Sequence, residues 1–66
     1  MKQKLVEIAN ILWQMPQMTE EQVVLIINPL DTIEEAKEYL NFLKNNKEKL
    51  TIEQLIKKSL EITGKN

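Results

Sequence analysis

Twice in this chain the same short device is written: an apolar residue, Thr, any residue, Glu, Gln, then two apolar residues. It stands in "MTEEQVV" at residues 18–24 and in "LTIEQLI" at residues 50–56. In each case the threonine side chain can accept from the amide of the glutamine three residues on. The glutamine side chain can reach back to the threonine amide, and this reciprocal cap starts a helix. The apolar residues ahead of the threonines, Met18 and Leu50, stand where they can staple to Val23 and Leu55. Two helix starts are thereby set by local chemistry. A two-unit solenoid would explain the likeness, but such folds need three or more units, so shared capping is the simpler cause.

The rest of the chain supplies further helical periods. Leu5, Ile8, Leu12 and Met15 follow 3-4-3 spacing, widened by Val6, Ala9, Ile11 and Trp13. Pro16 stops that pattern, because the residue before a proline is pushed out of the helical region. A third helix starts at Asp31 or Thr32, each followed three residues later by a glutamate, Glu34 or Glu35. Ile33, Ala36, Leu40 and Leu43 form its buried stripe, with Tyr39 and Phe42 beside it. Its acidic start and the lysines at its end (Lys44, Lys47) suit the helix dipole. Ile52, Leu55, Ile56, Leu60 and Ile62 give the last helix an apolar face. Glu53 and Lys57 are spaced as an i,i+4 pair, and Gly64 stands where a left-handed cap belongs. The expectation is an all-α, compact bundle of three to four short helices at about 3–15, 20–28, 32–46 and 52–63, forming one domain over 1–66. "QVVLII" is rich in β-branched residues and reads as a strand on propensity. No other strand candidate is present and the cap favours a helix, with strand pairing between chains left as the alternative.

Sixty-six residues lie near the lower limit for folding without reinforcement, which usually comes from disulfides, a metal or association. Cysteine and histidine are both absent. That excludes disulfides, thiolate and imidazole metal sites, and catalysis by either residue. With 42% hydrophobic residues there is material for a core. The longest apolar run, "VVLII", is far short of the roughly 20 residues that cross a bilayer. Glu7 and Asn10 interrupt the N-terminal stretch where a signal-peptide core would lie. A soluble, cytoplasmic protein without membrane contact is expected. Its one glycine rules out a Gly-rich phosphate loop, and Ser59 and Lys58 are adjacent, so on a helix they face different directions. Asp31, Glu34, Glu35 and Glu38 match no EF-hand spacing. No enzyme, cofactor, metal site or small-molecule substrate is indicated.

Two surfaces remain as binding candidates. A helix over Val23 to Ile27 is apolar around its whole circumference and must be covered on more than one side. The other helices or a second copy of the chain can do this. Trp13, Met15, Met18, Val24, Leu25 and Phe42 are the partner-binding candidates, large apolar side chains beyond one small core. Charge divides the chain: acidic residues dominate 19–38, and lysines dominate 39–58, although the net charge is only −1. Dipole complementarity accounts for much of this, and a molecule with one acidic and one basic end is suited to self-association. Lys44, Lys47, Lys49, Lys57 and Lys58 form an alternative nucleic-acid contact. Against it, all nine basic residues are lysines and arginine, the usual reader of guanine, is missing.

"MPQMTEEQVV" and "EEAKEYLNFL" also give residues 15–43 a faint resemblance to the CUE and UBA-like three-helix modules that bind ubiquitin. The resemblance implies that Met15, Pro16, Leu40 and Leu43 face a partner. The aromatic residue between Met and Pro and the di-leucine of those modules are missing here, and a fourth capped helix follows. The function expected from the sequence is a small intracellular helical interaction protein, self-associating as a homodimer. Nucleic-acid binding and a monomer with every apolar residue buried are the alternatives.

Overall fold

A computed structural model describes residues 2–46 and 50–64. It contains four helices: α1 (Lys2–Trp13), α2 (Glu20–Ile27), α3 (Ile33–Asn46) and α4 (Ile52–Thr63). Among the described residues there is no strand, so the β-branched run of α2 is helical. Both capping boxes form. The Gln22 amide donates to the Thr19 hydroxyl at 3.3 Å and the Thr19 amide to the Gln22 side chain at 2.9 Å. The corresponding bonds between Thr51 and Gln54 are 3.2 and 3.0 Å. A third box settles the start of α3 on Thr32 rather than Asp31. The Glu35 amide donates to the Thr32 hydroxyl at 3.1 Å, and the Glu35 carboxylate accepts from the amides of both Thr32 and Asp31.

The helix ends are equally local in origin. α1 stops at Trp13, two residues before the predicted end. The amides of Gln14 and Met15 reach only to the carbonyls three residues back, Ile11 and Leu12. Met15 cannot stay helical ahead of Pro16, so the last turn tightens and the chain reverses. Met18 then donates to the Met15 carbonyl at 3.4 Å, closing a turn with proline second and Gln17 third at φ +70°. That is the type II pattern, which favours glycine at the position Gln17 occupies. At the far end Gly64, at φ 68°, donates its amide to the carbonyls of Leu60 and Glu61 and ends α4.

The helices pack as a ring. α1 lies against α2 and α3, and α4 lies against the same two. The pairs α1 and α4, α2 and α3, stand diagonally without close backbone approach among the described residues. The interior is built from Ile8 and Leu12 of α1, Val23 and Ile26 of α2, Ala36, Tyr39, Leu40 and Leu43 of α3, and Leu55 of α4. Met18 and Leu30 close it from the turns. Removing these apolar side chains from water supplies the main favourable term, at about 25 cal/mol per Å². Several side chains depart from the predicted stripes, among them Val6 and Trp13 of α1, which are exposed. Ile33, the first residue of α3, is 41% exposed. Ser59 lies in the core at the centre of the α4 face, flanked by Leu55 and Ile62 on the same stripe.

Candidate functional site

Two buried hydroxyls fix α4 in place, and both are structural. The end of α2 shows why one is needed. The Asn28 amide bonds the Val24 carbonyl, while the Leu30 amide bonds Ile27, one residue past the Ile26 carbonyl it would reach in a continuing helix. The Ser59 hydroxyl donates to the Ile26 carbonyl and ties α4 to α2. Buried carbonyls left without a donor are costly, and this serine removes the cost. Tyr39 does the equivalent between α3 and α4: its phenol donates to the Leu55 carbonyl at 2.8 Å in a buried site. Burial pushes the phenol pKa well above its ordinary value, so the fold keeps Tyr39 protonated as a donor. Neither hydroxyl is offered to a ligand. Among the described residues no buried side-chain polar atom lacks a partner, and no three acidic groups converge to hold a cation.

The partner-binding candidates separate once placed. Val24 and Leu25 are exposed at 47% and 54%, and Trp13 at 51%. Met18 is buried in the core, and Met15 and Phe42 are half-buried against it. Met18 is therefore withdrawn from the surface by the staple position that the cap gives it. Leu40 and Leu43 are also core residues, so the partner-facing role that the module resemblance implies for them has no surface to act through.

On α2, Val23 and Ile26 point inward while Leu25, two residues from Val23 and one from Ile26, points outward. One turn back on that outer side stand Glu20 and Glu21. With Thr19 they stand around the exposed side chains of Val24 and Leu25 on one open surface. Neither glutamate forms an ion pair among the described residues. On α1, Val6 and Trp13 are seven residues apart and so share a face, opposite Ile8 and Leu12. Val6 is an exposed apolar residue that the sequence pattern had placed in the apolar stripe of α1. Its position on the far side from Ile8 and Leu12 was readable from helical spacing.

Of the five candidate lysines, Lys44, Lys57 and Lys58 are described. Lys44 is exposed in the last turn of α3, and Lys57 is exposed on α4. Lys58 is engaged within the molecule: its ammonium lies 5.2 Å from the Phe42 ring centre and 3.3 Å from the Glu61 carboxylate. Phe42 in turn packs against the Tyr39 ring at a centroid distance of 5.9 Å. Lys47 and Lys49 lie outside the described residues. The predicted Glu53–Lys57 pair is not formed; among the described residues the ion pairs are Lys4–Glu7 and Lys58–Glu61. Exposed pairs of this type contribute little, so their exchange leaves the fold unaffected.

Among the described residues no helix is long and apolar enough to cross a membrane. Comparison with protein-family models, with curated proteins and with solved structures found nothing that matches this chain.

Proposed function

We propose that this chain is a small helical interaction protein that acts by binding protein, in the first instance a second copy of itself, through the outer face of α2. The observation that carries the reading is the side-by-side exposure of Val24 and Leu25 at 47% and 54% on a helix whose other face is already in the core. Scattered exposed apolar residues are ordinary on a small protein, but two adjacent ones on an eight-residue helix make a patch. The reading includes no catalysis. The chain has neither thiol nor imidazole, and its one serine hydroxyl is committed to the Ile26 carbonyl. Nucleic-acid binding draws less support, since Lys58 is engaged by Phe42 and Glu61.

Size limits the affinity. A lasting interface takes about 800 Å² from each partner, and the whole molecule has 4612 Å² of accessible surface. A patch centred on two side chains covers a small part of that requirement, so the contact belongs to the weak, reversible class. Light scattering from micromolar to about millimolar concentration tests it, a range suited to small interfaces. Mass that rises with concentration supports the proposal; a monomer throughout removes it.

A further inference from the structure

The self-association reading does not say which surface of the second copy α2 meets, and the distribution of charge does. Residues 5–36 contain Glu7, Glu20, Glu21, Asp31, Glu34 and Glu35 and no basic side chain. Two α2 faces brought together would therefore find no cation for Glu20 and Glu21 on either helix. Like or uncompensated charge at a contact opposes it.

A second open surface with an apolar floor lies where the end of α3 meets α4. Half-buried Phe42 and Leu50 form its floor, and Gln54, Lys57, Lys58 and Glu61 its rim. Lys58 and Glu61 neutralise each other, which leaves the exposed ammonium of Lys57 as the uncompensated charge of the groove. The acidic ridge of α2 and this basic groove are complementary in both respects that matter for docking. One projects aliphatic side chains beside anions, and the other offers an aromatic and aliphatic floor beside a cation.

Resting on the self-association proposal, we infer that copies join head to tail, the Val24–Leu25 ridge of one seated in the Phe42–Leu50 groove of the next, with Glu20 and Glu21 opposite Lys57. Ridge and groove are different surfaces of one chain. The contact is heterologous, and copies continue to add past two unless a ring closes. Charge pairing at the rim also makes the assembly weaken as salt is raised.

A charge exchange tests the pairing. Glu20→Lys/Glu21→Lys and Lys57→Glu are prepared as separate full-length proteins, with circular dichroism to establish that each is folded. Sedimentation velocity at low salt then follows each alone and the two mixed in equal amounts. Each variant alone should associate at least roughly tenfold more weakly than the wild type, and the mixture should recover assembly because the reversed ridge now faces a reversed groove. Folded Lys57→Glu that assembles like the wild type overturns the groove assignment, as does a mixture that fails to recover. A wild-type mass that levels off at two copies overturns open head-to-tail addition, since ridge and groove then pair reciprocally about a two-fold axis or not at all, and leaves self-association intact. A wild type that stays monomeric removes both.

Discussion

Helices α2 and α4 start with the same chemistry and then do different work. Each has a threonine cap reciprocated by a glutamine three residues on, and each has an apolar residue ahead of the cap. Beyond that start α4 divides into an inner face around Leu55 and Ser59 and an outer face bearing Glu53, Lys57 and Glu61. It also receives both buried hydroxyl ties, from Tyr39 to its Leu55 carbonyl and from its own Ser59 to α2. α2 has no such division. Its inner face buries Val23 and Ile26, and its outer face carries Val24 and Leu25 into solvent beside two unpaired glutamates. Capping sets where a helix begins; the division of its faces sets whether the bundle alone can satisfy it. α4 turns charged side chains to solvent, and α2 turns two aliphatic ones there.

The largest test of that contrast sets one leucine from each helix against the other. Leu55→Ala should cost about 2–5 kcal/mol, since a fully buried side chain leaves a cavity behind it. For a domain of this size that is most of the total stability. Leu25→Ala should change stability by less than about 0.5 kcal/mol, because its side chain leaves no cavity. Urea denaturation followed by circular dichroism measures both, and equal costs would mean that α2 is no less enclosed than α4. Ser59→Ala comes next. It deprives the buried Ile26 carbonyl of its donor and should cost about 1–3 kcal/mol; a neutral result would show that the tie between α4 and α2 is dispensable. The smallest effect sharpens what the two helices share. Thr19→Ala and Thr51→Ala should each cost about 1 kcal/mol, and by similar amounts, because the lost cap is the same in both. A clearly larger loss at Thr51 would show that the caps differ in more than the sequence they start.

These contrasts also mark how far the sequence could be read. The caps at Thr19 and Thr51 and the left-handed end at Gly64 depend on residues within four positions of one another and stand where the local pattern puts them, while the stop ahead of Pro16 comes two residues early. The apolar run from Val23 to Ile27 was equally visible, but it left open whether the other helices cover Val24 and Leu25, and the structure leaves both exposed. Features set by distant packing were not visible. Helical spacing from Ala36 and Leu43 puts Tyr39 near the buried side of α3, but nothing near it in sequence indicates that its phenol meets the carbonyl of Leu55, sixteen residues away. Ser59 sits at core spacing from Leu55, yet only the unmet carbonyl of Ile26, thirty-three residues back, explains a serine there. Met18 shows both sides: the staple position that marks a helix start also takes it from the surface into the core.

The central claim is that the outer face of α2 is left unfinished by the monomer and completed by a second copy. Sedimentation equilibrium of the wild type beside Val24→Lys/Leu25→Lys, up to about millimolar concentration as suits a weak small-area contact, tests it most directly. The wild type should show mass rising with concentration, and the folded double variant should remain a monomer over the same range. A wild type that stays monomeric, or a double variant that associates as the wild type does, would contradict it.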